Sequence, residues 1–270
     1  MDSIIEVVRC FENSNIIHVD GVINPINDIE IIELELIYAD LETVMKRRER
    51  VKKQLKADKS LAKEDLILER IEKTLNEGKS ARSIEFTKEE KEIIKGLHLL
   101  TLKPLMYVAN VDEETIQNSE SNENFKKVKQ YAESQNAKVI PICVKLEEEI
   151  SELESEEEKK EFLSMMGLDK SGLDRLVIAS YDILGLMSYL TAGEVEVRAW
   201  TIRKGTKAPQ AAGKIHSDIE RGFIKAEIVS YDDLVNCGGM VKAREKGLIR
   251  LEGKDYIMKE GDIVDFKFNV

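Results

Sequence analysis

The sequence is poor in cysteine, proline and tryptophan, which number three, four and one among its 270 residues. Cys10, Cys143 and Cys237 are far apart and show no Cys-x-x-Cys spacing. So few cysteines, in an odd number, argue against a disulfide framework and favour a reducing, cytoplasmic setting. The apolar runs are all shorter than ten residues, so we expect no membrane span. The first residues, 1–4, lack the basic start of a signal peptide.

Basic residues are also in the minority, with 41 Lys and Arg against 52 Asp and Glu and a net charge of −11. The excess of acidic over basic residues is distributed unevenly along the chain. Residues 194–270 carry 14 basic and 13 acidic residues, whereas residues 1–193 carry 27 and 39. This difference predicts two parts with different surroundings. Because 42% of the residues are hydrophobic, both parts have enough apolar area for a core, which excludes a disordered chain.

Three nearly continuous apolar runs predict strands of a parallel sheet, at residues 4–11, 104–110 and 137–143. The first run is typical of a central strand that is covered on both faces, whereas Pro141 in the third favours an edge strand. With a predicted helix at 122–135, the order of elements indicates an α/β fold.

A helical hairpin is predicted between the first two strands, because apolar residues there recur at steps of three and four. A polar break at 57–60 separates two such seams, and the second seam stops at Gly78. We interpret them as an antiparallel coiled-coil hairpin inserted at about residues 28–95. The first seam is Leu34, Ile37, Leu41, Val44, Val51 and Leu55, with Arg48 at its polar position, and the second is Leu61, Leu68, Ile71 and Leu75.

The last part of the chain has a different pattern. Residues 194–202 alternate strictly between apolar and polar, which is typical of a half-exposed strand. Short runs at 223–229, 247–251, 256–258 and 262–268 predict further strands. We therefore expect a small α+β domain at 190–270 that is large enough to fold alone, after a first domain at 1–189.

The carboxyl ends of the predicted parallel strands are the expected ligand site. Asn110-Val111-Asp112-Glu113 directly follows the second strand, where GTPases place Asn-Lys-x-Asp. In those proteins the final Asp accepts two hydrogen bonds from guanine and the Lys packs along the base. Here Val111 and Glu113 replace them, which removes the reason to prefer guanine over adenine. By itself this short string is more typical of a polar turn after a strand than of a base-binding motif.

Several further segments of the chain match sequence motifs of one protein family. The most specific of these segments is the run Ala-Pro-Gln-Ala-Ala-Gly-Lys-Ile-His at 208–216. The segments are 8–13 with 17–19, 101–104 leading to 110–113, 198–202, 207–216, 253–256 and 268–270. Together they resemble the YchF / Obg-like ATPase family over essentially the whole chain. The resemblance implies a P-loop NTPase sheet of the G-domain type with a coiled-coil insertion, a C-terminal TGS domain, ATP hydrolysis with ATP and Mg²⁺ as cofactors, and a cytoplasmic, monomeric, ribosome-associated protein.

The resemblance also implies roles for particular residues. His18 matches the family's histidine that assists hydrolysis near the γ-phosphate, although a structural histidine in a loop is the alternative. The implied adenine pocket consists of Asn110, Val111, Glu113, Cys143, Val144 and Lys145. A modest basic patch in the second domain could meet RNA phosphates; its residues are Arg198, Arg203, Lys204, Lys207, Lys214 and His216.

One departure from the family is large, because no Gly-x-x-x-x-Gly-Lys-Ser/Thr string occurs in the sequence. We therefore expect an N-terminally truncated copy that lacks about three strands and the Mg²⁺ ligands, has no metal site of its own and is inactive alone. The alternative hypothesis is a non-enzymatic module whose coiled coil and TGS domain dock on the ribosome or its RNA.

Overall fold

The computed structural model describes residues 1–13, 23–193 and 196–269. The chain divides into two compact units, Met1–Ala179 and Ser180–Val270. None of the described helices combines the length and the apolar character that crossing a bilayer requires.

The first unit contains a parallel sheet of three strands, as predicted. In spatial order the strands are β1 (Ile4–Arg9), β2 (Leu105–Asn110) and β3 (Lys138–Ile142). The central strand is β2, and all of its residues except Asn110 are buried. The expectation that β1 is central and covered was wrong for the described residues, since β1 is an edge strand and its Val7 side chain is 62% exposed. Pro141 lies on the other edge strand, where a missing N–H is tolerated.

One predicted helix covers a face of this sheet. Helix α4 (Glu123–Ser134) packs Phe125, Val128 and Ala132 into the core. Asn122 caps this helix by accepting a hydrogen bond from the Phe125 N–H at 2.9 Å. The amide of Asn122 also donates to the Cys10 carbonyl at 3.0 Å, so it joins the start of α4 to the end of β1.

Between β1 and β2 the chain forms two long helices, α1 (Pro25–Leu55) and α2 (Ala62–Asn76). Their apolar faces share one core cluster, in which Ile37, Val44 and Val51 of α1 are buried. Leu34, which the sequence also assigns to the seam, is instead 43% exposed. The buried residues of α2 in this cluster are Ile67, Leu68, Ile71 and Leu75.

Arg48 occupies the polar position of the seam and contacts three carboxylates of α2. Its guanidinium donates to Glu72 at 2.8 Å and to Asp65 at 3.2 Å, and it also pairs with Glu69. The Arg48 side chain is only 12% exposed, so this network replaces an apolar contact inside the helix pair.

One buried carboxylate, Asp40 of α1, anchors the hairpin to the segment that precedes β2. Asp40 of α1 is 2% exposed. It accepts hydrogen bonds from the backbone N–H groups of Leu100 and Thr101, each at 2.7 Å, and from the Thr101 hydroxyl at 2.6 Å. These bonds compensate the cost of burying the charge.

Shorter helices complete the first unit and reach the boundary. Helix α3 (Lys88–Ile94) begins with a capping box of Thr87 and Glu90. The acidic stretch after β3 is helical, and a second capping box, of Ser155 and Glu158, starts a new helix within it. The helices after β3 are α5 (Val144–Ser151), α6 (Glu156–Met165) and α7 (Gly172–Ile183).

The second unit contains a mixed sheet with the order β5-β4-β8-β6-β7. Its strands are β4 (Leu186–Ala192), β5 (Val197–Arg203), β6 (Phe223–Ser230), β7 (Arg250–Glu252) and β8 (Asp262–Phe268). The strands predicted at 223–229 and 262–268 are confirmed, whereas β4 was missed. The strand predicted at 256–258 was wrong, since only a single bridge joins Ile257 to Lys207.

The most specific sequence run lies in the core of this unit. It forms helix α8 (Ala208–Gly213), in which Ala208, Ala211 and Ala212 are fully buried. The hydroxyl of Tyr189 donates to the Ala211 carbonyl at 2.8 Å. Small side chains are required because the helix approaches the sheet closely. The remaining helices are α9 (Ser217–Arg221), α10 (Tyr231–Cys237) and α11 (Met240–Glu245).

Candidate functional site

The carboxyl ends of the three parallel strands border one open cavity of about 610 Å³. Its walls come from the ends of β1 and β2 and from the start of α5, at residues 11–13, 110–114, 143–145 and 148. The structure brings all six residues of the predicted adenine pocket to this cavity, namely Asn110, Val111, Glu113, Cys143, Val144 and Lys145. His18 lies outside the described residues.

Asn110, the last residue of β2, joins the two chain segments that flank it. Its backbone carbonyl accepts a hydrogen bond from Cys10 N–H at 2.8 Å. Its side-chain oxygen accepts one from the Val144 N–H at 3.2 Å, and Val144 is the first residue of α5. Within the described residues the side-chain nitrogen of Asn110 has no hydrogen-bond partner, so this donor is available to a ligand in the cavity.

Val111 offers less to a ligand than the sequence indicates. Its backbone N–H donates to the Ile142 carbonyl at 2.9 Å, which prolongs the β2–β3 pairing by one residue. The residue is 1% exposed and belongs to the core cluster of the first unit. Of its backbone groups, only the carbonyl oxygen remains for recognition of a base.

Two acidic residues follow, and each already has a partner. Asp112 accepts from the N–H and the hydroxyl of Thr115, at 2.8 and 2.7 Å, and so stabilises its own turn. Glu113 pairs with the ammonium of Lys145, and this hydrogen bond raises the Lys145 pKa. Their side chains are 37% and 68% exposed, so the pair is worth little to stability.

The two cysteines near the cavity are buried. Burial raises the pKa of the Cys143 thiol, although hydrogen bonds from the Leu146 and Lys145 N–H groups oppose this shift. Burial, together with Asp28, raises the pKa of Cys10 to about 12. Because a thiolate is needed for nucleophilic or metal-binding chemistry, we interpret both residues as small packing groups.

Arg9 is a positioning residue that the sequence did not single out. Its guanidinium donates to the carbonyls of Phe11 and Asn13 at 3.2 and 3.3 Å and lies 4.8 Å from the centre of the Phe11 ring. It therefore fixes the segment that forms one wall of the cavity. The only available signal was the position of this segment at the carboxyl end of the first predicted strand.

The cavity is electrostatically suited to an uncharged group. Five carboxylates line it, against the single cation Lys145, among the residues that the structure describes. A polyphosphate would be repelled here, whereas a neutral heterocyclic base would not. The carboxylates are Glu12, Asp112, Glu113, Glu114 and Glu148.

The predicted basic patch of the second unit is largely paired. Lys204 and Lys207 form ion pairs with Asp182 and Asp255 at 2.7 and 2.8 Å. Arg198 lies over the ring of Trp200 at 4.3 Å and is 3.9 Å from Glu196. Arg203 donates to the Leu184 carbonyl at 3.5 Å, and His216 caps α9 by accepting from the Asp218 N–H at 3.2 Å. Lys214 has no ion pair within the described residues.

No three His, Cys, Asp or Glu side chains meet in a metal-binding arrangement in the described parts of the chain. We therefore assign no Mg²⁺ ligand among the described residues and derive no chemical step through this ion.

Comparison with known proteins agrees with this architecture. The family model YchF-GTPase_C, described as "Protein of unknown function (DUF933)", matches residues 186–269. The Ribosome-binding ATPase YchF of Bacillus subtilis is 54% identical over 271 residues, covering 100% of this chain and 74% of the relative. The protein of the same name from Escherichia coli O157:H7 is 46% identical, covering 100% and 73%.

Solved structures give the same result. The structure of the Schizosaccharomyces pombe YchF GTPase matches with a TM-score of 0.81 and 38% identity, over 98% of this chain and 72% of that one. A GTP binding protein from Pyrococcus horikoshii matches in fold alone, with a TM-score of 0.59 and 20% identity over 99% and 79%. The fold is thus an α/β fold of the YchF/Obg GTPase type, with a parallel sheet and a C-terminal domain. The chain belongs to the YchF family.

Proposed function

We propose that this chain binds the base of ATP in the cavity at the carboxyl ends of β1, β2 and β3, as part of a ribosome-associated ATPase. The observation that carries the proposal is the convergence of Asn110, Val111 and the start of α5 on one acidic cavity in a chain of the YchF family. Nucleotides bind at this edge of open parallel sheets.

Two groups at the end of β2 complement the polar edge of adenine. The side-chain N–H of Asn110, which has no partner among the described residues, can donate to a ring nitrogen, and the Val111 carbonyl can accept from the exocyclic amino group. The side chain of Phe11 borders the same cavity and offers an apolar surface to the base. Cys143, Val144 and Lys145 close the opposite side.

The preference for ATP over GTP follows, in this proposal, from the carboxylate at Glu113. Guanine presents two adjacent donors, which need a free carboxylate. Here Glu113 is held by Lys145, and Asp112 is occupied by Thr115. Guanine would have to displace the lysine, whereas adenine needs neither carboxylate.

The phosphates require a different part of the ATPase. Most nucleotide affinity in this fold comes from backbone N–H groups and a lysine around the phosphates. The string Gly-x-x-x-x-Gly-Lys-Ser/Thr is not among these 270 residues, and the cavity is acidic. We therefore assign phosphate and Mg²⁺ binding to a segment that is not among these residues, and a role near the γ-phosphate to His18.

The other elements provide the contact with the ribosome. We assign the α1–α2 hairpin to the family's coiled coil and the second unit to its TGS domain, with the first domain at 1–189 and the second at 190–270. Relatives named Ribosome-binding ATPase YchF that match the whole chain support a ribosomal partner and a cytoplasmic location. A docking module without hydrolysis is the second candidate, favoured by the missing phosphate-binding string.

The test separates the base from the phosphates. AMP and GMP are titrated into the isotope-labelled chain while backbone amide shifts are followed by NMR. AMP should shift the amides of residues 110–113 and 143–145, and GMP should do so more weakly. Shifts confined to other residues, or none with AMP at millimolar concentration, would leave the docking module as the better account.

A further inference from the structure

The end of the α1–α2 hairpin carries a dense positive charge. We call residues 50–63 the hairpin tip; they comprise the end of α1, the short turn Lys59–Leu61 and the start of α2. The tip contains six basic residues and one acidic residue, although residues 1–193 have an excess of acids. The basic residues are Arg50, Lys52, Lys53, Lys56, Lys59 and Lys63.

Most of these cations are not neutralised by the protein. Arg50, Lys52, Lys56 and Lys59 are exposed, and none lies within 4 Å of a carboxylate among the residues that the structure describes. Lys53 and Lys63 pair with Glu49 and Glu89 at 2.6 and 2.5 Å.

The acids that could have neutralised the tip are used elsewhere. Glu64 pairs with Arg47 at 2.6 Å, and Asp65, Glu69 and Glu72 all pair with Arg48. Asp58, the acid of the tip itself, accepts from the N–H and the hydroxyl of Ser60 at 2.9 and 2.6 Å. These carboxylates thus already have partners, whereas Lys52, Lys56 and Lys59 have no ion pair among the described residues.

The tip also projects from its anchor. Asp40 fixes α1 to Leu100 and Thr101, and α1 continues for 15 further residues to Leu55, which is about 22 Å at the helical rise. Carboxylates near Asp40 are therefore farther from the tip than the screening length of about 8 Å at physiological ionic strength, whereas Glu89 of α3 reaches the tip and pairs with Lys63.

The chemistry of the tip favours a polyphosphate over a protein. The exposed large hydrophobic side chains of the first unit include none from residues 50–63, all of which the structure describes. Protein interfaces need an apolar or aromatic centre and are depleted in lysine. Flexible lysines without an apolar centre instead suit the regularly spaced phosphates of a nucleic acid, which they position without reading sequence.

We propose that the hairpin tip binds the phosphate backbone of RNA through Lys52, Lys56 and Lys59, with Arg50 beside them. The choice of RNA as the nucleic acid rests on the proposed ribosomal function. The predicted patch on the second unit is less suited to this role, because Lys204 and Lys207 already have carboxylate partners.

The test compares two triple variants with the same change in net charge. In the first, Lys52, Lys56 and Lys59 are replaced by Glu. In the control, the exposed Lys127, Lys160 and Lys170, none of which has an ion pair in the described residues, are replaced by Glu. Binding of each full chain to a fluorescein-labelled RNA duplex is measured by anisotropy at several salt concentrations, and circular dichroism checks folding.

The tip variant should bind the RNA about ten-fold or more weakly than the unchanged chain. The slope of log K against log salt concentration should also be less steep by about 2 to 3, as expected for three lost phosphate contacts. The control should bind as the unchanged chain does. Equal losses in both variants, or no loss in either, would overturn the proposal. So would binding to poly-glutamate instead of RNA.

Failure of this proposal can be distinguished from failure of the proposed function. The amide shifts caused by AMP are measured on the same tip variant, and they should be unchanged because the tip is not part of the cavity. Co-sedimentation of the chain with ribosomes that survives in the tip variant would contradict the tip proposal and leave the ribosomal partner intact.

Discussion

The backbone N–H of Val144 donates a hydrogen bond to the side-chain oxygen of Asn110 at 3.2 Å. This bond fixes the rotamer of Asn110. It also gives a partner to the Val144 N–H, which has none within its own helix because it lies in the first turn of α5. It also sets which end of the amide remains for a ligand. The proposed adenine pocket depends on this one contact between β2 and α5.

Replacement of Asn110 by Ala should therefore weaken AMP binding by about five- to ten-fold, as expected for one lost hydrogen bond of about 1 kcal/mol. Isothermal titration or NMR titration of the chain measures the change. Asn76→Ala, on the exposed face of α2, is the matched control and should bind AMP normally. Equal affinities for the Asn110 variant and the unchanged chain would mean that the base lies elsewhere.

Replacement of Lys145 by Met should release Glu113 and change specificity. A free carboxylate can accept the two donors of guanine, so the affinity for GMP should rise about three- to ten-fold while that for AMP stays constant. The double variant Lys145→Met with Glu113→Gln is the control and should lose the gain. Because the pair is exposed, stability should change little. A constant ratio of AMP to GMP affinity would argue against the role of Glu113.

Asp40→Asn should destabilise the first unit by about 2–4 kcal/mol. Asp40 accepts three hydrogen bonds in a buried position, and an amide would turn an NH₂ group toward one of these donors. Urea unfolding followed by circular dichroism measures the effect. Glu35→Gln, an exposed carboxylate on the same helix, should change stability little. Comparable stability of the two variants would show that the hairpin is anchored by other contacts.

The stability of the first unit should fall as the pH rises from about 4.5 to about 7. Burial raises the pKa of Glu6 from 4.5 to about 7; Glu33 and Asp28 raise it too, and Arg82 opposes them. The folded chain therefore binds a proton that the unfolded chain releases in this range, so the contribution is present below pH 4.5 and lost above pH 7.

Glu6→Gln should remove this slope. The variant should be more stable than the unchanged chain at pH 8 by about 1 kcal/mol, a value reduced because Glu6 is partly exposed. Thermal unfolding across this pH range measures it, and Glu161→Gln is an exposed control. The prediction fails when the Glu6 variant keeps the pH profile of the unchanged chain.

The local chemistry of the sequence predicted much of the fold. The strands β1, β2 and β3 follow from their apolar runs, and α4 lies within the helix predicted at 122–135. The central position assigned to β1 was wrong because an apolar run reports composition and not what covers the strand. The strand β4 was missed because its apolar residues follow those of α7 closely, with Gly185 the one break signal between them.

The site could be predicted only in part. Asn110 and Glu113 stand in one short string after a strand, so the sequence alone indicated them. The partner of each comes from the register of β3 and α5, which no local pattern encodes. The same holds for the hairpin tip, where the sequence shows the lysines but only the packing of Arg48 shows which carboxylates are already used.

The affinity of a fluorescent ATP analogue for this chain, with and without Mg²⁺, tests the central claim most directly. Our account predicts weak binding, with a dissociation constant above about 10 μM, that does not depend on Mg²⁺, is competed by AMP and decreases in Asn110→Ala. Tight binding that requires Mg²⁺, or binding that Asn110→Ala leaves unchanged, would contradict it.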